Sequence, residues 1–320
     1  MRLSKSIVLA STLMLFAYAA SAQVDKPVRL LVGFAPGGSA DIAARLLADR
    51  MKDDLKHPVI VENKPGAGGR IAAEAVKNAP ADGSVLMLTP IVVTVLAPMV
   101  FSKLPYDALA DFAPVAHVAN FQFAMSVAAA HPAKNVNELV AWWKANPSMA
   151  NFGSPAPGSL PHFFGVMIER SAGINLIHVP YNGGGPLMNA VIGNQVSSGI
   201  DTLVDQIELH RSGKIRLIAT SGAQRSPLLP DVPTFTEGGL AGVEGTSWFA
   251  IYAPAKTPEA TVRQLNASIN RALAVPELRE RFMKLGLEPT GGTPADLSAR
   301  MAQDSARWAP VVKASGFRGD

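Results

Sequence analysis

From residue 23 onward the chain alternates short apolar runs, rich in β-branched residues, with longer stretches whose apolar positions recur every three to four residues. Residues 28–34 read as a strand, and residues 40–55 bring Ile42, Leu46, Leu47 and Met51 onto one helical face. A strand at 59–62, a helix at 70–78 and a strand at 85–89 follow. That β-α-β-α-β order predicts a parallel sheet wound by right-handed crossovers. A second series begins near residue 124, with strands at 124–127, 151–152, 176–179 and 215–220 and helices at 136–145, 160–172 and 186–192. Residues 225–245 hold Pro227, Pro230 and Pro233 among glycines and read as a long connection. The pattern resumes with a strand at 248–253 and helices at 258–273, 276–285 and 294–312. Each of these helices opens with proline in its first turn, where the missing N–H costs nothing. The expected fold class is therefore α/β: two lobes, each a mostly parallel sheet flanked by helices, with a ligand cleft between them. The late return of the chain assigns residues 23–123 plus 249–320 to one lobe and 124–248 to the other.

Residues 1–22 follow a different logic. Arg2 and Lys5 precede an apolar stretch at 7–17, and Ala20-Ser21-Ala22 offers a small-x-small cleavage site. This is the three-part pattern of a secretory signal, with the mature chain expected to start at Gln23. The apolar stretch falls short of the roughly 20 residues that span a bilayer, and the one at 91–101 is interrupted by Pro98. No cysteine stands at the cleavage point to carry a lipid. The mature chain is thus expected to diffuse freely outside the cytoplasm. Without a twin-arginine pair, export in the unfolded state is favoured, which argues against a cofactor loaded beforehand.

Composition narrows the chemistry. At 320 residues, 48% hydrophobic and 17% charged, the chain can bury a large core and is not disordered. Its 29 basic and 25 acidic residues become 27 and 25 once Arg2 and Lys5 are removed, too even a balance for a nucleic-acid binder. The absence of cysteine excludes disulfides, thiolate metal sites and a thiol nucleophile. The six histidines form no H-E-x-x-H, a dinucleotide fingerprint starting at Gly66 fails at Ile71, and no P-loop occurs, so neither a metal nor a cofactor is expected.

What recurs instead is a strand, a glycine-rich turn and a helix. The turns stand at Phe34-Ala-Pro-Gly-Gly-Ser-Ala-Asp41, at Asn63-Lys-Pro-Gly-Ala-Gly-Gly69, at Phe152-Gly-Ser-Pro-Ala-Pro-Gly-Ser159 and at Tyr181-Asn-Gly-Gly-Gly-Pro186. Glycine lets a backbone approach a ligand closely, and the free N–H groups of a helix start favour an anion. In open α/β sheets such turns fall at the carboxyl ends of strands, where ligands sit. A small carboxylate is the natural guest. The turn at 66–69 is read as structural, serving tight turning and close helix packing. The turns holding Gly37 and Gly38 and holding Ser154 and Gly158 are read as binding sites, because Ser39 and Ser159 add hydroxyl donors where they also serve as N-caps. Asp41 either complements its helix dipole or orients the Gly37 loop, meeting a ligand amine or a water. Tyr181 and Trp248 either wall the pocket or belong to the core. His162 either donates to a carboxylate or caps its helix, and Asp201 either lines the cleft or caps the helix starting near Leu203. A serine hydrolase built on Ser39 is the rival reading, since Gly37-Gly38-Ser39-Ala40-Asp41 begins like a nucleophile elbow but ends on Asp41 instead of glycine.

The residues also resemble a known family. Phe34-Ala-Pro-Gly-Gly-Ser-Ala-Asp41, Val61-Glu-Asn-Lys-Pro-Gly-Ala-Gly-Gly69, Ala81-Asp-Gly83, His178-Val-Pro-Tyr181, Gly213-Lys-Ile-Arg216, Leu229-Pro-Asp-Val-Pro-Thr234 and Thr246-Ser-Trp248 stand in the order seen in the Bug substrate-binding proteins of tripartite tricarboxylate transporters. The resemblance runs from Val28 to the C-terminus. It implies a periplasmic-binding-protein-like fold that closes over a small organic acid: a di- or tricarboxylate, an aromatic acid or an acidic amino acid. It implies that residues 34–41, Phe34 among them, and residues 154–162 hold the ligand carboxylates. It further implies delivery to integral membrane subunits and no chemistry on the ligand, while a sensing role beside a histidine kinase would need the same closed surface. The chain departs from the family at Asn182, where a basic residue is common, and at Asn189, where an aspartate is common.

Overall fold

The computed structural model describes residues 26–319, so the signal read at residues 1–22 lies outside the described residues. The first of two sheets contains β1 (Val28–Val32), β2 (Val59–Asn63), β3 (Val85–Pro90), β4 (Phe112–Phe121), β10 (Ser247–Pro254) and β11 (Leu287–Pro289), in the order β11-β4-β10-β3-β1-β2. The second contains β5 (Phe123–Ala128), β6 (Asn151–Ser154), β7 (Ile177–Pro180), β8 (Gly199–Thr202) and β9 (Ile215–Thr220), in the order β7-β6-β8-β5-β9. β1 pairs in parallel with β2 and β3, as the β-α-β-α-β reading requires. β10 is antiparallel to β3 and β4, and β11 to β4, which leaves four of the six strands pointing one way. In the second sheet β6 is parallel to β7 and β8 and β5 is antiparallel to β8 and β9, leaving four of five strands aligned.

The helices are α1 (Ser39–Leu55), α2 (Arg70–Lys77), α3 (Ala97–Val100), α4 (Val136–Ala145), α5 (Leu160–Ala172), α6 (Gly184–Ile192), α7 (Leu203–Arg211), α8 (Glu259–Ala274), α9 (Pro276–Lys284) and α10 (Pro294–Ser315). α1 buries Ala43, Ala44, Leu47, Ala48 and Met51, so its alanines let it lie close on the sheet while Leu46 stays partly exposed. The apolar stretch at 91–101 becomes a π-helical turn, Val92–Leu96, leading into α3, with Val93, Leu96 and Val100 in the core. No helix among the described residues is long and apolar enough to cross a membrane.

Two crossings join the sheets side by side. Gln122 separates β4 from β5, and the chain returns to β10 after residue 245. Ser221 ties them: its Oγ accepts the Phe123 N–H at 3.0 Å and donates to the Gly245 carbonyl at 2.6 Å, while its own N–H reaches the Phe123 carbonyl at 2.9 Å. α10 adds a further bridge, because Trp308 meets Phe164 of α5 edge-on with ring centroids 6.0 Å apart.

The turn at 66–69 has the structural role read for it. Gly69 adopts φ +92°, and a Cβ added at Gly33 would stand 2.5 Å from the Gly69 Cα. That obstacle is backbone, so no rotamer change relieves it. Gly33→Ala is expected to cost about 1–3 kcal/mol by forcing the two turns apart. Urea denaturation checks this, and a loss below about 0.5 kcal/mol, the range of an ordinary surface substitution, would show that the turns need not touch.

Candidate functional site

A cavity of about 530 Å³ opens where the glycine turns of the two sheets face each other. Its wall takes Phe34, Gly37, Gly38 and Ser39 from the first turn, Ser159 from the second and Asp201 from the end of β8. Asp41, Ser154, Gly158, His162 and Tyr181 stand outside this wall, and each has a traceable task behind it.

Asp41 orients the first turn. Its Oδ2 accepts the Gly37 N–H at 2.9 Å, and its carboxylate also takes the Arg45 Nε–H and the Asn63 Nδ2–H, each at 2.9 Å. Asn63 Nδ2 also reaches the Phe34 carbonyl at 3.1 Å. Burial raises the Asp41 pKa, but the bonds from Arg45, Gly37 and Asn63 outweigh it and hold the group below the usual carboxylate range. The charge thus fixes Gly37 at φ +83°, a conformation open to glycine, and leaves the start of α1 facing the cavity.

The second turn rests on two stacked imidazoles. The His162 and His178 rings lie 4.0 Å apart at 13°. His162 Nδ1 accepts the Gly158 N–H at 3.1 Å, which places the ring proton on Nε2 and lets His162 hold the shape of the turn from outside the cavity wall. The Ser154 hydroxyl donates to the Ala156 carbonyl at 3.1 Å and meets His178 Nε2 at 2.7 Å, which assigns the His178 proton to Nε2. Burial pushes the His162 pKa down to about 4, and burial with the neighbouring imidazole pushes His178 down to about 3. Both rings are neutral at pH 7. Ser159 donates to the Ala156 carbonyl at 2.6 Å, closing the turn so that α5 starts at the cavity. Tyr181 packs beneath Gly153, where an added Cβ would stand 3.0 Å from its ring.

Two aspartates complete the site. Asp201 and Asp205 lie at the end of β8 and in the first turn of α7, whose N-cap Thr202 accepts the Asp205 N–H at 3.3 Å. Asp205 reaches across to the other sheet's turn: Oδ1 accepts the Ser39 N–H at 2.9 Å, and Oδ2 lies 3.4 Å from the Ser39 hydroxyl. Asp201 Oδ1 accepts the Thr202 N–H at 2.7 Å, while its buried Oδ2 has no hydrogen-bond partner among the described residues. Burial drives both pKa values up, Asp205 to about 6 and Asp201 well above the ordinary range with the Asp205 charge adding to it. The Ser247 hydroxyl, also on the wall, is buried and likewise has no hydrogen-bond partner among the described residues.

Sequence reasoning missed Asp205 and Ser247. Thr202-Leu-Val-Asp205 has the spacing of an ordinary N-terminal cap, which hides a carboxylate that also leaves its helix. Ser247 opens a strand whose apolar pattern says nothing about the cavity. The geometry also bears on the hydrolase alternative: the Ser39 hydroxyl is engaged by Asp205 and Thr202, whereas His162 and His178 are committed to Gly158 and Ser154.

Comparisons with known proteins agree with this architecture. Residues 43–317 match the family described as the tripartite tricarboxylate transporter family receptor. The structure of the periplasmic binding protein BugD is 33% identical, covers 92% of this chain and 99% of its own, and superposes with a TM-score of 0.87. A Rhodopseudomonas palustris protein solved with adipate is 31% identical over 92% of this chain and 98% of its own, with a TM-score of 0.89. MatC from Rhodopseudomonas palustris, solved with bound malate, is 31% identical over 90% and 99% of the two chains, with a TM-score of 0.85. The chain belongs to the tripartite tricarboxylate transporter receptor family and is a Bug-type solute receptor.

Proposed function

We propose that the protein is a periplasmic, non-enzymatic receptor that closes its lobes, residues 23–123 plus 249–320 and residues 124–248, over a small organic carboxylate and presents it to integral membrane subunits. The observation that carries this reading is the pair of serine-glycine turns, one from each sheet, that start α1 and α5 at a single cavity. Each helix start has first-turn N–H groups without intrahelical acceptors, of which Asp205 takes the Ser39 N–H at α1, and the local dipole favours an anion. Adipate and malate in the two Rhodopseudomonas palustris proteins are small carboxylates of the kind such turns would hold. Ser221 and Gln122 lie where the sheets are joined, so a change of backbone angle there would swing one lobe against the other.

The test is a thermal-shift series on the mature chain, freed of carried-over ligand by unfolding and refolding. A ligand present at 100 times its dissociation constant adds about 2.7 kcal/mol to the folded state. A carboxylate is expected to give a shift of that size, with compaction in solution scattering. Failure of aliphatic and aromatic mono-, di- and tricarboxylates alike to shift the melt would overturn the reading.

A further inference from the structure

Resting on the carboxylate-receptor reading, we propose that the preferred ligand is a zwitterion, an ω-amino carboxylate with an apolar spacer, whose ammonium group seats between Asp201 and Asp205. The first argument is the charge of the wall. The described residues that line the cavity include Asp201, Asp205 and Glu208 and no lysine, arginine or histidine. A dicarboxylate can satisfy one end at a helix start. Its other end would meet the Asp205 carboxylate with no side-chain cation on the wall to neutralise it, and such like-charge contact is costly in a buried site.

The second argument is an orphaned acceptor. Asp201 is 1% exposed, and its Oδ2 finds no donor among the described residues, although a buried carboxylate oxygen ordinarily has one. A Cβ built on Gly184 would stand 2.5 Å from Asp201 Oδ2 and 2.7 Å from Asp205 Oδ2, so both oxygens converge beside that glycine. An ammonium group has three N–H donors and no acceptor, and it can serve two carboxylate oxygens at once. The third argument is the apolar part of the lining, where Phe34, Ile42, Phe123, Met188, Val204 and Leu209 suit an apolar spacer.

The test uses pairs of probes that differ in one terminus: ε-aminocaproate against adipate, and p-aminomethylbenzoate against terephthalate, titrated calorimetrically into refolded, ligand-free protein. Each amino acid is expected to bind at least about tenfold more tightly than its diacid. Asp205→Asn and Asp201→Asn should each erase that preference, read as the ratio of the two affinities within a pair. The wild-type comparison does not depend on the variants folding. Equal or tighter binding of the diacids overturns the zwitterion assignment and leaves the carboxylate receptor standing. Binding of neither member of either pair overturns the zwitterion assignment, and the carboxylate reading is then decided by the thermal-shift series.

Discussion

Lowering the pH from 7 to 4 is expected to remove about 3 kcal/mol or more of folding stability, a large share of the roughly 5–15 kcal/mol typical of a folded protein. The cause lies in histidines that are buried neutral. Burial, with the Arg300 charge beside it, pushes His117 down to about 4; His162 falls to about 4 and His178 to about 3. In the unfolded chain each titrates near 6.5. Their stability contribution is therefore complete above pH 6.5 and is lost as the pH falls toward 4, because the unfolded state takes protons that the native state refuses. One pH unit of such a difference is worth about 1.36 kcal/mol per group, so each histidine accounts for about 3 kcal/mol. Asp201 and Asp205 act in the opposite sense: with raised pKa values they hold protons in the native state and gain stability as the pH drops through about 6. Three histidines against two aspartates leave a net loss, and Asp41 and Asp82, both held low, deepen it at the acid end. Urea melts at pH 7 and pH 4.5 would measure it. His162→Gln with His178→Gln should flatten the slope, and Asp205→Asn should steepen it. Stability that rises steadily toward pH 4 would mean that these imidazoles are not buried neutral.

The fold was legible where one rule dominated. The first three strands and the helices between them follow apolar periodicity, and α9 and α10 open on the prolines read for them, whereas Pro258 stands one place earlier, as the N-cap of α8. β4 was not legible, because both of its faces are covered and Pro114, His117 and Asn120 break any alternation. Its register against β10 shifts twice, between Phe249 and Ala250 and between Ile251 and Tyr252, and no local sequence signal announces a bulge. β8, four buried residues beginning with Gly199, is too short to carry a pattern. At the site, the glycine turns announced their position because close approach demands glycine. Which side chains face the cavity was a different question, decided by pairings distant in sequence. Asp205 with Ser39 and Ser247 opposite Phe121 are the instances that matter.

Trp248→Ala is expected to cost about 4–6 kcal/mol and to leave little folded protein at physiological temperature. Trp248 was open to two readings, pocket wall or core, and strand geometry decides between them. Successive residues of a strand point to opposite faces. Ser247 and Phe249 line the cavity, so Trp248 between them points away, fully buried, into the layer beneath α10. There its Nε1–H donates to Asp304 Oδ2 at 2.7 Å, an oxygen that Arg300 also reaches at 2.6 Å, and its ring meets His117 edge-on at 5.8 Å. Truncating a buried tryptophan costs about 3–5 kcal/mol in lost transfer energy and cavity formation. Leaving the buried Asp304 without one of its donors adds about 1 kcal/mol or more. Trp248→Phe keeps most of the volume and loses only the donor, so it should cost about 1–3 kcal/mol. Adding Asp304→Asn to that variant should recover part of the loss, because the acceptor no longer carries a charge. Chemical denaturation of the variants separates packing from hydrogen bonding. If Trp248→Ala lost less than about 1 kcal/mol, the ring would not be the core member that its burial indicates, and the face of β10 opposite the cavity would be free to move during closure.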